Sequence, residues 1–334
     1  MSETHIPVLR NEVLDFLKPK SGGIYVDATI GLGGHSLWIL KKSQPTGRLI
    51  GIDMDADALA IADKRLHTFK ERLSLIHGNF AQLQEILQTD GIHEVDGVLL
   101  DLGVSSLQLD TANRGFSFQY PGSLDMRMDV RMSTSAAHIV NDSTPDKLIK
   151  IFKEYGEERY AKRIAQDIMA ARAKKPITTT FQLSEIVENV YATKAKRSKV
   201  SAQNRQKGTK IHPSTRVFQA LRIEVNAELD NLAFGLNAAV SVLKPGGCLC
   251  VISFHSLEDR IVKRQFRQLA KTCICPPKTP ICICEHQQVL QVVTNRPVLP
   301  SAREVEVNPR ARSAKLRVAT RVYNSSVSTL KKCI

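Results

Sequence analysis

The sequence contains no apolar run long enough to span a bilayer as a helix, which takes about 20 residues. Its opening residues, Met1-Ser2-Glu3-Thr4-His5, lack the basic and apolar segments of an export signal. These two absences make a cytoplasmic protein without a membrane the expectation. A disulfide framework is also missing. Seven cysteines is an odd number, in a chain of 334 residues, whereas stapled scaffolds are short and exported. Acidic residues are scarce beside basic ones, 33 against 47, for a net charge of +14.

What remains is ordinary for a globular protein: 43% hydrophobic and 24% charged residues. The length suffices for a large core and for two domains. The excess positive charge is clustered. One run covers 194–210 with Lys194, Lys196, Arg197, Lys199, Arg205, Lys207 and Lys210 and no acid between them. Arg260, Lys263, Arg264 and Arg267 recur at helical spacing, and Arg310, Arg312, Lys315, Arg317 and Arg321 crowd the C-terminal part. Clustering of this kind favours a nucleic-acid partner over a merely soluble surface.

The chain is organised around Tyr25-Val26-Asp27-Ala28-Thr29-Ile30-Gly31-Leu32-Gly33-Gly34-His35. A short buried strand, a glycine turn and a helix from about residue 35 open a nucleotide site in an α/β sheet. Glycine permits a close backbone approach, and the helix start offers N–H groups. A second strand, 48–52, ends in Asp53. That acid lies about twenty residues past the glycines, where a carboxylate takes ribose hydroxyls. The turn reads Gly-x-Gly-Gly and lacks the Gly-x-Gly-x-x-Gly of dinucleotide folds, which disfavours a nicotinamide dehydrogenase. Asp27, inside the first strand, would repel a pyrophosphate. It suits S-adenosylmethionine, which carries an ammonium and a sulfonium.

Further along, 73–77 reads as a third strand followed by Gly78-Asn79-Phe80, which places Phe80 either against adenine or in the core. A fourth strand, 95–100, ends in Asp101. The carboxyl ends of such strands face the ligand crevice. The texture then changes. Residues 113–132 form an ordered loop without periodicity, and helical segments follow at 135–141, 145–154, 157–174 and 180–190. Residues 113–213 therefore read as an all-α insertion between a first sheet part, 1–112, and a second, 214–334. A long helix over 217–243, a fifth strand over 248–254, a helix to about residue 271 and two late strands, 289–294 and 316–322, would complete a seven-stranded sheet.

An exocyclic amine on a base is a poor nucleophile, so a methyltransferase acting on one needs an acceptor for its N–H. Asp101 is the first candidate, with Ser105 and Ser106 as polar contacts. It could equally cap the turn or hold the cofactor amine. His255 ends the fifth strand and could orient substrate, accept a proton or serve the fold. His35 is a cofactor contact or a helix-start residue. Arg114, Arg127, Arg216 and Arg222 are candidate phosphate or base contacts, and Phe116, Phe118 and Phe254 could stack on a flipped base. No catalytic metal is assigned. Cys273-Ile274-Cys275 and Cys282-Ile283-Cys284 could hold a structural zinc, although the Cys-x-Cys spacing is tighter than usual.

Several stretches together resemble the MraW (RsmH) family. They include Asp27 to Ser36, Arg114-Gly115-Phe116-Ser117-Phe118, Tyr155-Gly156-Glu157-Glu158-Arg159, His212-Pro213-Ser214-Thr215-Arg216 and Asn308-Pro309-Arg310-Ala311-Arg312-Ser313. The resemblance spans nearly the whole chain. It implies an α/β, class I S-adenosylmethionine-dependent methyltransferase fold, Rossmann-like, with a helical insertion. It implies methylation of cytosine N4 of a cytidine in the decoding region of 16S ribosomal RNA, within the small ribosomal subunit. By position it places Gly33, Gly34, His35, Asp53, Phe80, Asp101 and Gln108 around the cofactor. If Asp101 mainly holds the cofactor, the proton acceptor becomes a backbone carbonyl, Ser105 or His255. The four-cysteine loop and the 194–210 run are not general family features. A DNA amino-methyltransferase would carry Asp/Asn/Ser-Pro-Pro-Tyr/Phe where this chain has Asp101-Leu102-Gly103-Val104. A non-catalytic assembly factor would not need the cofactor residues.

Overall fold

A computed structural model describes residues 7–197, 212–276, 279 and 281–323, without the side chains of 194–197. His5, Ile6 and most of the basic 194–210 run lie outside the described residues. The elements run α1 Arg10–Leu17, β1 Ile24–Asp27, α2 Gly34–Lys42, β2 Arg48–Asp53, α3 Ala56–Leu66, β3 Leu73–His77, α4 Leu83–Thr89 and β4 Val95–Asp101. Then come α5 Ser106–Asp110, α6 Ala136–Asp142, α7 Pro145–Glu154, α8 Ala161–Arg172, α9 Thr180–Arg197, α10 Ser214–Asn226 and α11 Glu228–Val242. The last are β5 Leu243–Ser253, α12 Ser256–Leu269, β6 Leu290–Val292, α13 Ala302–Val307 and β7 Lys315–Arg321.

Two compact units result: Met1–Gly103 with Leu229–Ile334, and Val104–Glu228. The first is built on a seven-stranded sheet of order β3-β2-β1-β4-β5-β7-β6. Its first five strands in sequence pair in parallel, and β7 runs antiparallel to both β5 and β6. Alternation explains why both faces are covered. Ile50, Ile52, Val98, Leu100, Leu249 and Val251 enter one core, while Leu49, Leu99, Cys250 and Ile252 enter the other. Near-continuous apolar strands are what a sheet buried on both sides requires. The strand order reverses between β1 and β4, so their carboxyl ends flank the crevice where open sheets bind ligands.

The second unit is helical, with one bridge among the described residues, Ser123 to Thr179. It extends beyond 113–213 at both ends, and its core gives the reason. Val104 and Leu109 on one side, and Val217, Phe218, Leu221 and Val225 on the other, pack with Phe152, Ile164 and Leu183. The expected single helix over 217–243 is two helices. Ala227 breaks it in the left-handed region, φ 47°, a conformation costly for a residue with a Cβ. The break is held from within the unit. Asn226 donates to Met126 O and Arg222 O at 2.8 and 2.9 Å and accepts from Met128 N–H at 2.8 Å. Arg222 grips Glu228 through two nitrogens at 2.8 and 2.9 Å.

Candidate active site

The site residues of the sheet unit gather around the turn after β1. Gly33 precedes α2 with φ 75°, and a Cβ there would stand 3.0 Å from Leu66 Cδ1. Gly31 also has positive φ, 50°, and a Cβ on it would meet only Thr29 O, at 3.9 Å. The turn is therefore tight on its helix side and roomy at Gly31. Gly34 starts α2 and lies against Pro7, whose Cγ would be 3.0 Å from an added Cβ.

Asp53 closes the turn. Its Oδ2 accepts from Gly31 N–H at 2.7 Å and its Oδ1 from Asp55 N–H at 2.9 Å. Burial nevertheless pushes its carboxyl up to about 6. Asp27, 1% exposed, accepts from Ser36 Oγ at 2.6 Å through Oδ2, and burial pushes it too up to about 6. Asp101 N–H donates to Thr29 Oγ1 at 2.6 Å, tying the end of β4 to the same turn. The Asp101 side chain is 25% exposed and its Oδ2 is 3.7 Å from His35 Nε2. Burial, then the carboxylates of Asp27 and Glu258, push Asp101 up to about 8. Asp27 Oδ1 and Asp101 Oδ1 are buried without a hydrogen-bond partner.

These are three acids around one turn, two with an unmet oxygen. The physics of such a pocket is one-sided. A phosphate would add like charge to it, whereas a cation supplies what the orphaned oxygens lack. The ammonium and sulfonium of S-adenosylmethionine fit this donor set.

His255 is bound up in the start of α12. Its Nδ1 accepts from Glu258 N–H at 3.4 Å, which leaves the proton on Nε2, 3.2 Å from Glu258 Oε1. Glu258 Oε2 in turn accepts from Phe254 N–H and His255 N–H at 2.8 and 3.2 Å. Nδ1 is thus engaged in a reciprocal helix cap, while Nε2 is buried without a hydrogen-bond partner. Glu258 is also one of the charges that raise Asp101. Phe80 is partly buried against the sheet core, its Cδ2 only 2.3 Å from where a Cβ on Gly235 would sit.

Ser105 and Gln108 belong to the helical unit. They cap α5 for each other: Gln108 N–H donates to Ser105 Oγ at 3.2 Å and Ser105 N–H to Gln108 Oε1 at 3.0 Å. In that unit three of the four candidate RNA arginines are spent on structure. Arg127 holds Asp125 at 2.7 and 2.8 Å. Arg114 donates to Arg127 O and Met128 O at 3.1 and 3.0 Å, and Arg222 holds Glu228. Arg216 is exposed. Phe116 is buried, and Phe118 stacks on His212 with centroids 4.6 Å apart. The C-terminal basic cluster is likewise divided. Arg317 is buried on Asp259 at 2.6 Å, and Lys315 lies 3.6 Å from the same acid. Arg310 and Arg312 are exposed, as are Arg260, Arg264 and Arg267 on the outer side of α12.

Sequence reasoning passed over three residues of the site. Thr29 and Ser36, which hold Asp101 and Asp27, carry no local signal. Glu258 does: an acid three residues after a helix-starting residue is a capping-box pattern.

Comparison with known proteins places the chain. The model of the MraW methylase family matches residues 2–322. The Ribosomal RNA small subunit methyltransferase H of Halothermothrix orenii is 50% identical over 320 residues, covering 96% of this chain and 99% of that one. Its namesake from Clostridioides difficile is 48% identical over 318 residues, 95% and 99% of the two chains. Among solved structures, an rRNA methylase from Streptococcus thermophilus aligns over 96% of this chain and 99% of its own, at 10% identity and a TM-score of 0.41. The family match and the relatives, which extend over nearly the entire length, carry the conclusion: this chain belongs to the MraW methylase family, the S-adenosylmethionine-dependent methyltransferases that the sequence resembles.

Proposed function

We propose that the protein transfers a methyl group from S-adenosylmethionine to N4 of a cytidine in the decoding region of 16S ribosomal RNA, in the small ribosomal subunit. The observation that carries the cofactor part is the pair of buried, partnerless oxygens on Asp27 and Asp101 beside a glycine turn. The ribosomal part is supported by the names of relatives at about half identity over nearly the full length. The choice of cytosine N4 is supported by family resemblance. Exposed Arg260, Arg264 and Arg267 suit a polyanion. Among the described residues no helix is long and apolar enough to cross a membrane, which agrees with a cytoplasmic place of action. The helical unit is proposed to recognise the substrate.

When bound, the cofactor supplies an electrophilic methyl on a sulfonium. The residues do the rest. Asp53 takes the ribose hydroxyls while the backbone at Gly33, Gly34 and His35 lines the turn. Phe80 offers a ring to adenine. Asp101 meets the cofactor's positive charge and stands at the end of β4, where its carboxylate can accept the N–H proton that the amine loses. His255 is a positioning residue that fixes Glu258 beside Asp101. For Ser105 as a polar contact to the amine and for Gln108 as a cofactor contact, the proposal rests on the resemblance alone.

The deciding experiment is transfer of labelled methyl from S-adenosylmethionine to unmodified small subunits and to bare 16S RNA, with nucleoside analysis. Label on cytosine N4 is the expected result. Label on another position would overturn the N4 assignment, and cofactor binding without any label on RNA would overturn the ribosomal one.

A further inference from the structure

A second constellation lies away from the proposed active site, between α12 and β6. No regular helix or strand is present among the described residues of this stretch. Its isoleucines face outward: Ile274 is 43%, Ile281 71% and Ile283 79% exposed. Apolar packing therefore does not explain why the loop has one shape. The four cysteines face inward instead, each partly buried. Their sulfurs all lie within 4.8 Å of one another. The separations are 3.6 Å for Cys273–Cys282, 4.0 Å for Cys275–Cys282, 3.5 Å for Cys282–Cys284 and 3.8 Å for Cys273–Cys284.

Those distances have a specific meaning. None of the four is in a disulfide, whose sulfurs would be about 2.05 Å apart. A tetrahedral ion with sulfur ligands at about 2.3 Å sets its sulfurs about 3.8 Å apart, by simple geometry. A polynuclear iron–sulfur cluster spreads its thiolates over different irons and separates them further. The spacing is that of one ion and four sulfurs.

The backbone is arranged for anions as well. Cys275 N–H points at Cys273 Sγ, Ile283 N–H at Cys275 Sγ and Ile274 N–H at Cys284 Sγ, each at 3.4 Å. Cys284 N–H serves Cys282, and His286 N–H also serves Cys284. Every sulfur thus receives at least one backbone donor. Backbone donors of this kind hold the sulfurs in place around one centre. The Cys-x-Cys spacing, tighter than the usual pairs, works because each pair alternates: the cysteines turn in and the intervening isoleucine turns out.

We propose that Cys273, Cys275, Cys282 and Cys284 bind one structural Zn²⁺ that orders this loop. Zinc is preferred to a single iron because the sulfurs are only partly buried, where a redox-inactive ion persists. The site leaves no open coordination position, so its role is to staple the chain rather than to act in methyl transfer.

The test is metal analysis of the full chain purified without chelator. About one zinc per chain is expected, released by a mercurial reagent and lost in the double variant Cys282→Ser, Cys284→Ser. Reduced metal-free protein should take up Co²⁺ with thiolate charge-transfer absorption. Trypsin should cut the double variant at Lys271 faster than it cuts the zinc-loaded protein, while S-adenosylmethionine affinity stays unchanged and reports that the sheet unit is folded. Iron in place of zinc would overturn the assignment. So would wild-type protein that holds neither metal and gives no cobalt spectrum, a readout that does not depend on any variant folding.

Discussion

Asp101 and Thr29 are joined by a hydrogen bond of 2.6 Å from the Asp101 amide to the threonine hydroxyl. This bond couples the end of β4 to the turn after β1 and so brings the Asp101 carboxylate next to Asp27. The pair is costly without a ligand. The charge of Asp27 raises Asp101 in a poorly solvated place, and neither Oδ1 has a partner. The pocket is preorganised for positive charge at the expense of its own stability.

That cost is measurable as a pH dependence. Asp101 sits at about 8 and Asp27 and Asp53 at about 6 in the folded protein, above the ordinary carboxylate value near 3.8–4 in the unfolded chain. Between these limits the native state holds more protons than the unfolded one, so stability falls as pH rises, by about 1.4 kcal/mol per pH unit for each acid still protonated. Urea unfolding of the cofactor-free protein at pH 5, 6, 7 and 8 should show decreasing stability. Asp101→Asn should flatten the slope between pH 6 and 8 while weakening S-adenosylmethionine binding tenfold or more. A cationic ligand binds the ionised carboxylates, so affinity should rise over the same range, with proton release detectable by calorimetry in two buffers.

Gly235 of α11 makes room for Phe80. A Cβ there would come within 2.3 Å of Phe80 Cδ2 and 3.3 Å of Phe80 O, so Gly235→Ala must displace the ring. Overpacking of this kind costs about 1–3 kcal/mol. If Phe80 stacks on adenine, the same variant should raise the dissociation constant for S-adenosylmethionine. Phe80→Leu, which relieves the crowding, should restore the stability of Gly235→Ala without restoring affinity. Equal affinities in all three proteins would remove Phe80 from the cofactor site.

His255 offers a cleaner separation of roles. The Oδ1 of an asparagine can replace Nδ1 as the acceptor at the start of α12, and asparagine is among the best residues there. His255→Ala should lose about 1 kcal/mol of stability, and His255→Asn should recover it. A positioning role predicts that His255→Asn also retains most of the turnover, with an unchanged pH profile. Loss of turnover in a stable His255→Asn protein, with the pH profile shifted, would make the imidazole itself the proton acceptor.

Asn226, 1% exposed, should be one of the most sensitive positions of the helical unit. Asn226→Ala strips partners from Met126 O and Met128 N–H, and each buried group left unmet costs about 1–3 kcal/mol. A drop in the urea midpoint of the full chain, with an unchanged slope, is expected. Asn226→Asp keeps the acceptor half but sets a buried carboxylate oxygen against Met126 O and Arg222 O, so it should destabilise at least as much as Asn226→Ala at neutral pH and recover as pH falls.

Much of this protein was legible in the linear chain because the deciding interactions are local or periodic. Strand alternation, the Gly-x-Gly-Gly turn and Asp53 at its customary distance are written within short windows. They suffice for the seven-stranded α/β sheet and for the acids of the crevice. The family resemblance implies Gln108 as a cofactor contact, whereas its own window, Ser105-x-x-Gln108, reads as the capping box that the structure shows. Other features depend on contacts between residues far apart in sequence. The helix break at Ala227 is held by the 126–128 loop, about a hundred residues earlier. Arg114, Arg127 and Arg222 look like RNA contacts until their carbonyl and carboxylate partners are seen. Arg317 looks like surface charge until Asp259 is found beside it. The partnerless oxygens of Asp27 and Asp101 exist only once β1 and β4 lie side by side. Likewise, the cysteine pairs became a four-sulfur cage only when the loop folded back on itself. Sequence determines which groups are present and the local backbone they favour. Their desolvation and their partners are set by distance in space, and that was decided by the tertiary structure.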